Sequence, residues 1–228
     1  MIAETEFFDA DLDPSVSEEA SVISGARQVT FTDWSEAPDS PAPTNHRTKK
    51  TKKDPCAESR SYKFYGGAIR WMDLPVTYRF ENIPNEDWKV AVRRAFATWN
   101  AASPAPIFQE DGSATNVIKW TPLDGPGRAL AQTSISYSGR HMMRFEIRFD
   151  ASESWAVLEN ETCPTVPGSA FDVENVAVHE IGHALGLSHA TRRQDLALTM
   201  YPSATIGETL KRSLGAGDRA GVQALYSR

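Results

Sequence analysis

Three histidines and one glutamate stand on a fixed spacing in "HEIGHALGLSH", residues 179–189. Four residues of α-helix turn about 400° and rise about 6 Å. His179 and His183 therefore share one face and can aim at one atom. Gly186 permits the left-handed turn that ends such a helix, after which the chain can double back and bring His189 to a third corner. Three neutral imidazoles suit a borderline-soft ion such as Zn2+, at roughly 2.0–2.1 Å per nitrogen. With the fourth position left to solvent, the chemistry is hydrolytic: zinc lowers the pKa of a bound water to roughly 7 and polarises a carbonyl. Glu180 adjoins the first ligand, where its carboxylate can take that water's proton and hand it to a leaving amine. Two blander readings compete. Satisfied core histidines are disfavoured because five specified positions agree within eleven residues. A structural zinc would normally close with a fourth protein ligand.

The elements that must position this stretch are legible in the pattern. A helix should begin near Asp172 and stop at Gly186. Another is expected over "NEDWKVAVRRAFATWNAA" (85–102), with Asn85 as cap, Glu86 and Asp87 in the first turn, and an apolar stripe of Trp88, Val92, Ala95, Phe96 and Trp99. A third should run from about Ala216 to Tyr226. Alternation predicts strands at "LPVTYRF" (74–80), "PIFQE" (106–110), "NVIKWT" (116–121), "ALAQTSI" (129–135) and "MRFEIRF" (143–149).

The chain has 228 residues, 40% hydrophobic and 24% charged, which suits one globular domain plus additional sequence. A net charge of −6 gives no global reason to expect nucleic acid or an anionic membrane as partner. No apolar run approaches the length of a membrane span. Residues 1–44 hold ten acids and one base, Arg27, and "APDSPAPTN" (37–45) reads as an extended linker. The sign then reverses in "HRTKKTKKD" (46–54). Such a segment buries too little to order itself. Two domains of sequence follow: an acidic then basic N-terminal segment, 1–58, expected to be disordered, and a globular unit, 59–228. The N-terminal segment could be a solvated tail or a pro-segment with the lysine run as a processing site.

The histidine stretch matches H-E-x-x-H-x-x-G-x-x-H and so resembles the metzincin metalloproteases. "LTMYPS" (198–203) supplies Met200 for that family's methionine turn, and "MYP" resembles the matrixin (matrix metalloproteinase) group. "DGPGRALAQ" (124–132) and "FDASESW" (149–155) resemble two further matrixin segments, so the likeness extends over most of 60–228. It implies an α+β, zincin-like domain: a twisted five-stranded, mostly parallel sheet with one antiparallel edge strand, and three helices. It implies a zinc metalloendopeptidase, monomeric and extracellular, acting on protein or peptide substrates. "MIAETEFFDADLDPSVSEEA" lacks a basic start and an apolar core, so a signal would be missing or export would follow another route.

The resemblance also implies a calcium ion held by the carboxylates of Asp124, Asp150 and Glu153 and the carbonyls of Gly125, Gly127 and Ala129, a reasonable oxygen cage for a hard cation. Gln132 and Arg148 stand where two histidines of a second, structural zinc would be, so that ion is not expected and His141 should be a lone surface histidine. Asp218 matches an acid that hydrogen-bonds the methionine turn. Gly217 replaces the neighbouring acid that pairs with a processed N-terminus. An extended peptide should add to "ALAQTSI", which contains Ala131, as the sheet's edge. The main specificity pocket should lie between the active helix, with Asn175 as one wall, and the segment after Met200, including Tyr201 and Pro202. Mammalian matrixins block their zinc with a cysteine. Cys56 could do so here as a thiolate ligand, or it could pair with Cys163, the favoured reading. The alternative to an enzyme is a catalytically silent zinc-containing binding module of the same fold.

Overall fold

The computed structural model describes residues 16–19, 26–35, 56 and 59–227. In chain order the strands are Val16–Glu19 (β1), Arg27–Ser35 (β2), Lys63–Phe64 (β3) and Val76–Glu81 (β4), followed by helix Glu86–Ala101 (α1). Phe108–Glu110 (β5), Asn116–Thr121 (β6), Ala129–Ser138 (β7), His141–Asp150 (β8), Trp155–Ala156 (β9) and Phe171–Asp172 (β10) lead to helix Val173–Ala184 (α2). Leu187–Ser188 (β11) and Ser203–Ala204 (β12) precede the closing helix, Ala216–Tyr226 (α3).

The five expected strands form the heart of one sheet. β5, β4, β6 and β8 are parallel neighbours, and β7 runs antiparallel to β8. Parallel strands need long crossovers, and α1 supplies the one between β4 and β5. All three helices fall where the apolar period places them. Asn85 caps α1 by accepting from the Trp88 N–H at 2.9 Å, and Asp172 caps α2 by accepting from Asn175 at 2.7 Å. The α1 stripe buries Val92, Ala95, Phe96 and Trp99. Phe96 stacks on Tyr78 of β4 at 3.7 Å, and the Trp99 indole donates to the Val178 carbonyl of α2 at 2.7 Å. One helix is thereby fixed between the sheet and the histidine-bearing helix.

Beyond β7 the sheet continues where the sequence reading expects nothing ordered. β2 pairs antiparallel with β7 from Arg27↔Tyr137 to Trp34↔Ala129, and β1 adds to β2. β12 pairs with β2 on its other flank. The expectation of disorder throughout 1–58 therefore fails for 27–35. Low hydrophobicity averaged over the segment hid an alternation inside it: Val29, Phe31 and Asp33 all point inward and are buried. Backbone hydrogen bonding along an existing edge does the rest. The remainder of 1–58, apart from 16–19, 26 and Cys56, lies outside the described residues. Cys56 is joined to Cys163 by a disulfide, so its thiol is not available as a zinc latch. No helix among the described residues is long and apolar enough to cross a membrane.

Candidate metal centre and cleft

α2 places His179 and His183 one turn apart, and Leu185 caps it. Gly186 then turns the chain at φ +104°. A Cβ on Gly186 would lie 2.2 Å from the Ile69 carbonyl oxygen, so both the turn and the close approach require glycine. β11 carries the chain back, and His189 arrives beside the other two. The His179 and His183 Nε2 atoms are 3.0 Å apart, as are those of His183 and His189. Tetrahedral ligands at the usual zinc–nitrogen distance stand about 3.3 Å apart.

The rings are aimed by their other nitrogens. His179 Nδ1 lies 2.5 Å from the Thr199 carbonyl and His183 Nδ1 lies 2.9 Å from that of Leu187. A carbonyl can only accept, so each Nδ1 donates and each Nε2 keeps its lone pair for the shared point. Burial pushes both imidazoles down, His183 to about 4, which favours the neutral form that metal ligation requires.

Met200 lies beneath this helix. Gly182 faces its sulfur so closely that a Cβ would come within 2.2 Å. Asp218 on α3 accepts the Thr199 and Met200 N–H groups at 2.8 and 3.2 Å, as the resemblance implies. Gly217 has its own reason. Its N–H donates to the Ser59 carbonyl at 2.9 Å, and a Cβ there would strike the Ser61 carbonyl oxygen at 2.0 Å. The incoming segment 59–61 thus occupies the space a side chain would need.

Glu180 is fully buried beside the triad. Thr133 of β7 donates to its Oε2 at 2.5 Å, while Oε1 has no hydrogen-bond partner. Burial, reinforced by the nearby Asp33 carboxylate, holds its pKa well above the ordinary glutamate value.

Asp33 is the residue that sequence reasoning missed. Its Oδ1 lies 2.9 Å from His179 Nε2 and 3.0 Å from His189 Nε2, and its Oδ2 lies 3.6 Å from His183 Nε2. Burial opposes its ionisation, but the fields of His179 and His189 hold its pKa well below normal. Among the described residues, the group of potential ligands converging within 4.8 Å is Asp33, His179, His183 and His189. Three imidazoles and a carboxylate around one point fit a zinc ion. A buried carboxylate with an unpartnered oxygen beside a second buried carboxylate is otherwise costly. No spacing marked Asp33 out from the other acids of 1–44. Only the alternation Val29-Phe31-Asp33 could have hinted at an inward aspartate.

A small cavity beside His179 is lined by Asp33, Leu130, Asn175, Val176, Ser203, Ala204 and Lys211. Asn175 accepts the Lys211 N–H at 2.7 Å. The buried Lys211 ammonium donates to the carbonyls of Tyr201 at 2.7 Å and Ser203 at 2.5 Å, which ties down the far wall. Tyr201 contributes through its carbonyl. Pro202 is half-buried and does not line the pocket, and Ala131 is opposite Asp33 in the β2–β7 register.

The residues expected to hold calcium meet at one loop. Glu153 accepts the Gly127 and Arg128 N–H groups at 2.5 and 3.3 Å, Asp124 accepts that of Ala129 at 3.1 Å, and Asp150 accepts that of Asp124 at 3.4 Å. Gly125 and Gly127 take positive φ there. Gln132 and Arg148, cross-strand neighbours, hydrogen-bond each other at 2.9 Å, and His141 is exposed.

The helix, the glycine turn, the returning histidine and the methionine beneath them form the arrangement of the metzincin class. The family model described as Matrixin matches residues 70–227. Metalloendoproteinase 1 of Glycine max is 35% identical over 179 residues, covering 72% of this chain and 55% of that protein. Metalloendoproteinase 1-MMP of Arabidopsis thaliana is 32% identical over 184 residues, covering 72% and 46%. Interstitial collagenase of Equus caballus is 31% identical over 173 residues, covering 70% and 33%. The chain belongs to the matrixin family, and it spans about half the length of these plant relatives.

Proposed function

We propose that the chain is a zinc-dependent metalloendopeptidase that hydrolyses peptide bonds of extended polypeptides. The observation that carries this is the buried convergence of three imidazole Nε2 atoms next to the Glu180 carboxylate. His179, His183 and His189 would hold zinc, which supplies a water of lowered pKa and a Lewis acid for the scissile carbonyl. Glu180 acts as general base. Thr133 anchors its Oε2, which leaves Oε1 to accept a proton and deliver it to the leaving amine. β7 and the Ser203–Ala204 segment are the two rails for a substrate strand, and the pocket along Asn175 receives the side chain that follows the cut. An extracellular location and a monomeric state are proposed with this reading.

Cleavage of casein or gelatin, assayed after a limited proteolytic cut between Ser35 and Cys56, tests it. Activity should vanish with a chelator. It should fall by about 10³-fold in Glu180→Ala, in the middle of the range for loss of a general base, with one zinc per chain still found by elemental analysis. Undiminished hydrolysis by that variant would remove Glu180 from its role. A silent binding module is favoured by one observation, the fourth protein ligand offered by Asp33; it predicts no hydrolysis either before or after the cut.

We also propose a structural Ca2+ on the 124–129 loop, held by Asp124, Asp150 and Glu153 with the Gly125, Gly127 and Ala129 carbonyls. The backbone hydrogen bonds that already draw these acids to one loop support it. Added calcium should raise the unfolding temperature of the wild type and leave that of Asp150→Asn unmoved.

A further inference from the structure

The cavity beside His179 carries hydrogen-bond donors that lack acceptors. Asn175 is buried, and its side chain meets the backbone N–H of Lys211 at 2.7 Å. An N–H can only donate, so the amide oxygen faces it and the Nδ2 group keeps two hydrogens. Among the described residues no acceptor takes either of them. The Lys211 ammonium is buried as well. Of its three hydrogens, two go to the carbonyls of Tyr201 and Ser203. The third has no acceptor within hydrogen-bond distance among the described residues. Glu208 Oε1 is 3.9 Å away, and Oε2 of that carboxylate accepts the Thr205 N–H at 3.0 Å. Asn175 and Lys211 both line the cavity, between the apolar walls of Leu130, Val176 and Ala204. Its volume is about 10 Å³, on the order of one water. Buried donors left unpaired are destabilising, and a ligand that brings the acceptor relieves this.

We propose that Asn175 and Lys211 make this cavity selective for a substrate side chain ending in a carboxylate or carboxamide, so that the chain cuts before glutamate or glutamine rather than before an apolar residue. This rests on the peptidase reading above, in which the pocket along Asn175 receives the side chain that follows the cut. The apolar walls take the methylenes of such a side chain. Its terminal oxygens accept from Asn175 Nδ2 and Lys211 Nζ. The ammonium favours the carboxylate of the two, because a charge-assisted hydrogen bond is the stronger. Methionine is unbranched and of similar length, but its thioether is a weak acceptor and leaves both donors poorly paired.

Peptides identical except at the residue after the cut test this, with glutamate, glutamine, methionine or leucine placed there. They are offered to the zinc-loaded chain cut between Ser35 and Cys56, and mass spectrometry locates each product end. The kcat/KM for glutamate should exceed that for methionine by at least about 10-fold, the worth of a hydrogen bond to a charged donor. Asn175→Asp keeps an acceptor for the Lys211 N–H, removes the Nδ2 donors and sets a carboxylate against a carboxylate, so it should erase the preference. Lys211→Met should erase it too. Residues that merely hold the wall would slow all four peptides alike in these variants and leave their ratio unchanged. That result overturns the proposal, as does a wild type that prefers methionine or leucine, and in either case the peptidase reading stands. If no peptide is cut, both fall.

Discussion

Two regions meet at the same point and are built differently. The α2–Met200 region is locked on every side. Its imidazoles donate to the Thr199 and Leu187 carbonyls, Gly182 seats on Met200, Asp218 holds the methionine turn, and Trp99 hydrogen-bonds the helix backbone. β2 touches the same centre but belongs to none of these networks. It is one added strand, held by ladder hydrogen bonds, Phe31 and one carboxylate. The first region takes its candidate ligands from one helix and its return. The second brings the Asp33 carboxylate to the same point from 156 residues upstream of His189. The difference teaches which members of the group local helix geometry supplies and which only a distant strand can bring.

Breaking the locked region should be the more damaging. Gly186→Val forces a β-branched residue into φ +104° and a Cβ against the Ile69 carbonyl. Backbone strain and overpacking, each about 1–3 kcal/mol, should together lower domain stability by roughly 2–6 kcal/mol. A lower denaturant midpoint and weakened zinc retention would show it, whereas a wild-type midpoint would mean that the turn is looser than drawn. Phe31→Ala should separate the two regions. Removing a fully buried phenylalanine typically costs about 3–5 kcal/mol. Here the loss should fall on the docking of β2, so hydrogen exchange should speed up across residues 27–34 while α2 stays protected. Equal deprotection of both would join what the comparison holds apart.

The smallest effect lies away from the centre. Arg93 hydrogen-bonds Glu110 through Nε at 2.7 Å, and this lowers the Glu110 pKa although slight burial opposes it. A depressed carboxylate contributes stability that is present above its unfolded pKa of about 4.3 and is lost as pH falls through the folded value. The pair is largely exposed, so the loss should be at most about 0.5 kcal/mol. Thermal melts of wild type and Glu110→Gln should therefore differ slightly at pH 7 and converge below pH 4.

Short-range features were legible because their physics is short-range. The α1 stripe, the Asn85 and Asp172 caps, the stop at Gly186 and the five sheet strands follow from periodicity and local backbone conformation. β3, β9, β10, β11 and β12, two residues each, were not legible, since pairs that short carry no period. Lys211 was missed for a related reason: a lysine in sequence looks solvated, and only the wall it supports explains its burial.

By itself, the sequence determined which residues could share a metal ion on the helix, where that helix ends, and which glutamate stands beside it. Helical geometry and the need for a left-handed turn admit few alternatives over eleven residues. Only the tertiary structure decided that Asp33 completes the group and that Cys56 meets Cys163. Pairing between distant segments depends on which sheet edge lies open and what fits against it, and neither is encoded in local spacing.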